Sequence, residues 1–419
     1  MKILVVGGGG REHAIIRKLK ESPKAEKIYC APGNCGISKD AECVNIAVSD
    51  INGIVNFSKE NSIDLVFVAP DDPLAAGMVN VLEDAGIRAF GPRAEAAVIE
   101  SSKVFSKNLM KKYHIPTAGY EVFDDPAKAL SFIKSKNSYP SVIKADGLAL
   151  GKGVIIAAGY GEAEDAIKTI MEDRKFGDSG NKVVIEEFLT GPEVSVLAFT
   201  DGKCVKPMVS SKDHKRALDG DKGLNTGGMG TISPNPYYTK DIADTCMKTI
   251  FLPTMNAMNR EGRAFKGCLY FGLMLTKDGP KVIEYNSRFG DPETQVVLPR
   301  LKTDFVDIIE AVIDGRLNDQ TIEWSDDACA CVVMASGGYP VKYKKGIEIT
   351  GLDQNGQLDG VTVYHAGTAF RNGKFYTDGG RVLGVTALGK DLPQALEKAY
   401  AGVDKIHFDG AHFRKDIGK

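Results

Sequence analysis

The sequence predicts a multidomain protein of mixed α/β and α+β class, with a parallel-sheet domain at the N-terminus and a β-rich domain at the C-terminus. Three observations carry that reading. The chain has 419 residues, enough for two to four domains at roughly 100–200 residues each. Its first hundred residues alternate short apolar runs with helical periodicity, the pattern of βαβ units and a parallel sheet. Its last hundred hold short β-type runs separated by glycine.

In order, Ile3–Val6 reads as a buried strand, Arg11–Lys20 as a helix, Lys27–Cys30 as a strand, Asp50–Glu60 as a helix, Asp64–Ala69 as a strand and Pro73–Asp84 as a helix. Ligands of such sheets bind beyond the carboxyl ends of the strands, here the loops Gly7–Gly10, Ala31–Gly36 and Pro70–Pro73. Ser101 or Ser102 then caps a helix with Phe105, Leu109 and Tyr113 on one face, stopped by Ile115-Pro116. The stretch 120–189 is compact α+β: Ser141–Ala145, a glycine-rich turn, Val154–Ala158, a helix near Glu162–Met171, and Lys182–Glu187. Strands follow at Ser195–Thr200 and Lys281–Tyr285, with a long helix at Lys240–Asn259. The terminal region places strands at Ala330–Ala335, Gly346–Ile349, Thr362–His365, Lys374–Thr377 and Arg381–Ala387, then a helix at Leu392–Lys405. The divisions expected are 1–101, 102–322 with 120–189 as a subdomain, and 323–419. Trp324, the only tryptophan, marks the last seam, and His114 is expected to satisfy carbonyls at its helix end.

Apolar residues make up 43% and charged residues 26% of the chain, and 53 Lys plus Arg against 55 Asp plus Glu leave a net charge of −2. No global basic field exists to attract nucleic acid or an anionic membrane. No apolar run approaches the ~20 residues that span a bilayer, and Met1–Val6 followed by glycines differs from a signal peptide. Eight scattered cysteines, the closest pair being Cys329 and Cys331 inside an apolar run, suit packing in a reducing cytoplasm rather than zinc or redox chemistry.

Several motifs carry chemistry. Gly7-Gly8-Gly9-Gly10-Arg11-Glu12-His13 lacks the third glycine of a dinucleotide fingerprint, because that position is Glu12 or His13. It leaves a loop of amides at a helix N-terminus, suited to a phosphate or to a plain tight turn. Lys144–Gly153 has Asp146 and Gly153 where a Walker loop needs Gly and Ser or Thr. As a glycine-rich hairpin flanked by lysines it can cover a triphosphate from above, or be an ordinary hairpin. Val184–Leu189, with Gly191 and Glu193, is a strand ending in carboxylates. In Glu284-Tyr285-Asn286-Ser287-Arg288, residues i and i+2 of a strand share a face. Glu284 and Asn286 there offer two oxygen ligands, and Mg²⁺ favours one or two protein carboxylates completed by water and phosphates. An edge-strand salt-bridge ladder is the alternative.

Arg288-Phe289-Gly290-Asp291-Pro292-Glu293-Thr294-Gln295 makes the pattern specific. This run resembles that of the phosphoribosylamine–glycine ligases, ATP-grasp enzymes of purine biosynthesis. Further blocks agree in order along the chain: Gly8–Ala14, Ala31–Asn34, Lys144–Gly153, Asp213–Lys215, Asn225–Gly230 and His365–Thr368. Departures are Ala69-Pro70-Asp71 for the usual Gly-Pro-Glu, Pro192 where Glu is common, and Leu224 for Pro.

The resemblance implies an ATP-grasp fold and ligation of glycine to 5-phosphoribosylamine through glycyl phosphate, with release of ADP and phosphate. By similarity, Glu284 and Asn286 hold Mg²⁺ or Mn²⁺. Lys103 and Lys144 meet the ATP phosphates under a lid at 145–153 that includes Gly147, Gly151 and Gly153. The segment Glu186, Glu187 and Leu189 edges the adenine, and Glu193 meets the ribose. Arg288, Asp213 and Lys215 are the catalytic candidates. Gly8, Gly9, Gly10, Asn34, Asn225, Gly228, Gly290 and Asp291 are the substrate candidates. A solvated charged turn is the alternative for 213–215, and His365 is expected to be structural. The lid is expected to order when nucleotide binds. The partners implied are small molecules, without nucleic acid or membrane, for a stand-alone cytoplasmic monomer or weak dimer. Another ATP-grasp carboxylate–amine ligase is the alternative function.

Overall fold

The computed structural model describes residues 1–148 and 153–419. Gly151 and Lys152 of the lid motif therefore lie outside the described residues. The chain opens with a parallel sheet of β1 (Lys2–Gly7), β2 (Lys27–Pro32), β3 (Glu42–Cys43), β4 (Leu65–Val68) and β5 (Ala89–Phe90), in the order β3-β2-β1-β4-β5. Between them run α1 (Gly10–Lys20), α2 (Ile51–Glu60), α3 (Asp71–Ala75) and α4 (Met78–Asp84), with α5 (Ala94–Ser101) after β5. Asp50 is the N-cap of α2 rather than its first residue, accepting a bond from Gly53 N–H. The single helix expected over Pro73–Asp84 is two, because Gly77 takes a left-handed φ of +83° that ends one and starts the next.

Of the two serines expected to cap α6 (Lys103–Lys112), the structure selects Ser102, whose Oγ accepts from Phe105 N–H. At the other end His114 adopts φ +57°, and backbone amides of His114 and Ile115 reach the carbonyls of Lys111 and Met110. The helix end is closed by that left-handed turn, not by the imidazole.

The next unit is an antiparallel sheet, β6-β9-β7-β8, of β6 (Tyr120–Phe123), β7 (Ser141–Ala145), β8 (Val154–Ala157) and β9 (Val183–Glu187). It is covered by α7 (Pro126–Lys136) and α8 (Tyr160–Ile167), the latter continuing as a π turn to Glu172. β7 and β8 form the expected hairpin, Ser141 opposite Ala157.

The core sheet runs β11-β10-β16-β17. It contains β10 (Glu193–Asp201), β11 (Val205–Pro207), β16 (Lys266–Thr276) and β17 (Gly279–Asn286), all antiparallel. Between β11 and β16 lie β12 (Lys212–Asp213), a hairpin of β13 (Arg216–Leu218) and β14 (Lys222–Asn225), and β15 (Gly230–Ser233). The helix expected over 240–259 is α9 (Lys240–Cys246) and α10 (Leu252–Arg260) joined by a π turn ahead of Pro253, which has no N–H to continue an i→i−4 ladder. After β17 come α11 (Thr294–Val297) and α12 (Phe305–Ile313).

The last region holds β18 (Ala328–Ala335), β19 (Glu348–Ile349), β20 (Thr362–His365), β21 (Thr368–Arg371), β22 (Lys374–Thr377), β23 (Arg381–Gly389) and α13 (Leu392–Val403). Its main sheet, β12-β15-β18-β23-β20, takes two strands from the core segment, so the loops next to β12 and β15 are built partly on the C-terminal domain.

One apolar cluster joins the three regions. It runs from Ile3, Val5 and Phe67 through Leu197, Phe199 and Ile309 to Cys329 and Cys331, with Trp324 half-buried against it. At its centre Phe289 is 1% exposed and meets Phe67, Phe90, Phe199 and Phe305 at ring separations of 5.9–6.4 Å. No helix among the described residues is long and apolar enough to cross a membrane.

Candidate active site

β17 sets two side chains toward the cleft by simple alternation. Glu284 lies opposite Gly272 and Asn286 opposite Tyr270 on β16, both half-buried. A Cβ at position 272 would stand 3.1 Å from Glu284 Cγ, so the glycine leaves room for the carboxylate. Lys215 Nζ approaches Glu284 Oε1 at 3.2 Å. That ammonium, seconded by Lys144 and Lys103, holds the Glu284 carboxyl down at about 2 against the opposing effect of burial. The Lys215 ammonium is pushed up in turn, mainly by Glu284.

A lysine cluster lies above this strand. Lys144 Nζ sits 3.0 Å from Glu186 Oε1 and donates to the Ile283 carbonyl, next to Glu284. Glu186 Oε2 pairs with Lys107 Nζ at 2.9 Å, both nearly excluded from solvent. Burial lowers the Lys107 ammonium to about 8. Lys103 Nζ donates to the Gly147 carbonyl, and Asp146 Oδ1 accepts from Ser102 Oγ and Val104 N–H, so the segment after β7 is tied to the start of α6. The Glu186 carboxylate is thus occupied by two lysines, and its backbone lies between Tyr120 of β6 and Val142 of β7 in the sheet. Glu187 is exposed, accepts from Gly119 N–H and approaches Lys281; Leu189 is half-buried and Glu193 exposed at the start of β10. Gly153 is anchored through its carbonyl to Ala145 N–H.

Arg288 follows Glu284 and Asn286 along the chain. One of its terminal nitrogens lies 3.2 Å from Glu100 Oε1, while Glu100 Oε2 accepts from Ser287 N–H and Oγ. Its buried Nε has no partner among the described residues, which leaves a guanidinium N–H for an incoming oxyanion. Asp213 ends the edge strand β12, and its Oδ1 accepts from His214 N–H. Burial, followed by the nearby Glu293, pushes the Asp213 carboxyl well up. Gly228, at φ +112°, packs so closely on Asp213 and Pro292 that a Cβ would meet them at 2.6 and 2.4 Å. Asn225 ends β14, half-buried, two residues before that glycine turn.

The N-terminal candidates sit differently from expectation. Gly9 N–H is not a bare amide: it donates to Glu12 Oε2 at 2.6 Å, while Glu12 Oε1 accepts from Arg11. Asn34 spends its side chain on the carbonyls of Gly8 and His365 and on the amides of Gly36 and Ile37, and so staples loops together. Gly8 packs on the Gly33 carbonyl and Gly10 on Gln295, with no space for a side chain at either. The loop still borders the site, because a Cβ on Gly9 would lie 3.8 Å from Asp291 Oδ2, and Arg11 donates to the Phe289 carbonyl. Gly290 packs on Glu293. His365 is fully buried between Thr368 and the Gly356 carbonyl, a structural placement.

Sequence reading missed Lys107, Glu100, Glu293 and Arg381. Two of them had a local clue: Glu293 stands within the Arg288–Gln295 run, and Lys107 lies one turn from Lys103 on α6.

Among the described residues no group of three or more His, Cys, Asp or Glu converges as a self-sufficient metal site. One carboxylate and one carboxamide beside several cations fit a hard divalent ion completed by nucleotide phosphates and water.

Three family models match in chain order: the phosphoribosylglycinamide synthetase N domain over residues 1–100, its ATP-grasp (A) domain over 101–294, and its C domain over 329–419. The chain belongs to the phosphoribosylglycinamide synthetase family. As a member it is an ATP-grasp ligase, and the family uses ATP with a divalent ion. It is 51% identical to the phosphoribosylamine–glycine ligase of Caldanaerobacter subterraneus subsp. tengcongensis, over all of this chain and 99% of that one. It is 50% identical to the trifunctional purine biosynthetic protein adenosine-3 of Gallus gallus, over all of this chain and 42% of that one. The crystal structure of the phosphoribosylamine–glycine ligase of Thermotoga maritima matches this synthetase over its full length, with a TM-score of 0.87 at 33% identity. The biotin carboxylase domain of the Hydrogenobacter thermophilus 2-oxoglutarate carboxylase shares the fold, with a TM-score of 0.73 at 15% identity, over 98% of this synthetase and 91% of that chain.

Proposed function

We propose that this chain joins glycine to 5-phosphoribosylamine, converting ATP to ADP and phosphate, in purine biosynthesis. The observation that carries the reading is the pairing of Glu284 and Asn286 on one strand face, flanked by Lys144, Lys215 and Arg288. A glycine carboxylate has a poor leaving group, so an amine does not displace its oxygen at neutral pH. Transfer of the γ-phosphoryl group to a carboxylate oxygen breaks the bond to ADP and creates glycyl phosphate. Attack by the amine nitrogen then forms the C–N bond as phosphate leaves, and the amine gives up a proton.

The side chains divide this work. Lys103 and Lys144 neutralise the nucleotide phosphates, and the hairpin between β7 and β8 covers them to exclude water. Glu284 and Asn286 would hold Mg²⁺ or Mn²⁺. When bound, the ion screens charge on the phosphates so that an anionic carboxylate can approach. Arg288 offers its unpartnered Nε–H to the transferring phosphoryl group and then to the acyl phosphate. Lys215, in the pair with Glu284, is placed to orient the glycine carboxylate. Asp213 has a raised proton affinity and, as the carboxylate, takes the proton from the attacking amine. Glu186 to Leu189 line the base, Glu193 the ribose, and the loops at 8–10, 225–230 and 290–291 the amine substrate. All eight cysteines are free, as suits a reducing cytoplasm, where we place the enzyme as a monomer or weak dimer.

ADP formation that requires both glycine and phosphoribosylamine is the expected result in a coupled assay. Glu284→Ala is expected to lower turnover by about a hundredfold or more. ADP release that favours bicarbonate or another amino acid, or a Glu284→Ala variant at wild-type speed, would sink the assignment.

A further inference from the structure

Arg381, the first residue of β23, belongs to the C-terminal domain yet reaches into the cleft. One terminal nitrogen donates to the Gly227 carbonyl at 2.6 Å and to the Asp291 carbonyl at 2.9 Å, and the other to Asp291 Oδ2 at 2.8 Å. Gly227 is held from its other side, where its N–H donates to the Tyr339 hydroxyl, also from the C-terminal domain. A Cβ on Gly227 would stand 2.9 Å from the guanidinium carbon, so only glycine lets the fork lie against this backbone. The remaining oxygen of Asp291 accepts from Gln295, and Gly9 faces Oδ2. A single planar cation therefore fixes two loops that approach from different parts of the chain, and both border the amine side of the site. Neither Lys103, Lys144, Glu284 nor Asn286 is among its partners.

We propose that Arg381 is a positioning residue for the second half-reaction: its fork sets Asp291 and the 225–230 turn in the geometry that receives the sugar of the amine substrate. Resting on the ligase reading given above, this makes the C-terminal domain a working wall of the site. An arginine suits the task because its donors are fixed in one plane and reach two acceptors at once, which a lysine does not reproduce.

The test compares wild type, Arg381→Met, Arg381→Lys and Asp291→Asn in the full-length enzyme, with phosphoribosylamine generated in the assay from ribose 5-phosphate and ammonia. KM is measured for each of the three substrates, alongside the affinity for a non-hydrolysable ATP analogue with Mg²⁺. Arg381→Met is expected to raise KM for phosphoribosylamine by about 10- to 100-fold, the scale of a lost charge-assisted hydrogen bond. KM for ATP and affinity for the analogue should stay within about twofold. Arg381→Lys should recover only part of the loss, and Arg381→Met combined with Asp291→Asn should cost little more than either alone. Asp291→Asn changes no side-chain volume and provides the same reading if Arg381→Met does not fold. Unchanged KM for the amine, or equal rises in all three KM values, would overturn the proposal. Failure of the wild type to use phosphoribosylamine would instead overturn the ligase reading on which it stands.

Discussion

At the scale of single residues, the cleft is organised by charges that neutralise one another in pairs. Lys107 and Glu186 are both almost fully buried, with Lys144 on the second carboxylate oxygen. Removing Lys107 leaves Glu186 with Lys144 alone: Lys107→Met is expected to destabilise the protein by less than the about 3–5 kcal/mol of a fully stranded buried charge, read as a fall in denaturation midpoint, with part of the loss recovered when Glu186→Gln is added. Burial also keeps three histidines neutral. It lowers His13, brings His214 to about 4 and takes His365 to about 3. Their folded pKa values lie below the unfolded value near 6.5, so the unfolded chain binds the extra protons as pH drops. Stability is therefore intact above about 6.5 and declines toward pH 4, by up to about 1.4 kcal/mol per pH unit for each of His214 and His365, with His13 acting in the same direction. Denaturation midpoints measured from pH 7 to 4 should show that slope, and His214→Asn should flatten it. Glu284 and Asn286 were readable from sequence because the two-residue period of a strand settles their shared face. Arg381 was not, since its partners stand far off in the chain and no local pattern announces it, and Lys107 offered only its one-turn spacing from Lys103.

At the scale of elements, the segment after β17 depends on one aromatic anchor. Phe289 places Arg288 on one side and Gly290-Asp291 on the other while its own ring is locked among four phenylalanines. Phe289→Ala is expected to destabilise the protein by about 3–5 kcal/mol and to depress turnover in the surviving folded fraction, measured by chemical denaturation and by assay at low temperature. The β7–β8 hairpin offers a different test. Hydrogen exchange at Val154–Ala157 should slow when Mg-ATP is added, and unchanged exchange would count against closure over nucleotide. Signals for most of these elements were present in the sequence. α7 carries an Asp125 cap and a Pro126 start that were passed over. β16 is harder: Lys266–Thr276 is so continuously apolar that its two buried faces erase the alternation a strand normally shows.

At the scale of the whole molecule, chain order and spatial order diverge where the chemistry lies. The N-terminal parallel sheet followed from its alternating pattern, and its strand order β3-β2-β1-β4-β5 is that of βαβ units. The recruitment of β12 and β15 into the C-terminal sheet did not follow. A strand of two to four residues has little pattern of its own, and its partner is chosen by long-range packing. That recruitment fixes an order of assembly. Asp213 pairs with Thr231 close by in the chain, but Thr231 pairs with Cys331 and Cys331 with Thr386, so the edge carrying Asp213 joins the rest of its sheet only after nearly the whole polypeptide has left the ribosome. The β6-β9-β7-β8 and β11-β10-β16-β17 sheets, where we propose the nucleotide binds, hold their pairings within earlier segments and are free to form during synthesis. A nascent chain stalled before residue 381 should accordingly bind Mg-ATP while remaining unable to complete the ligation.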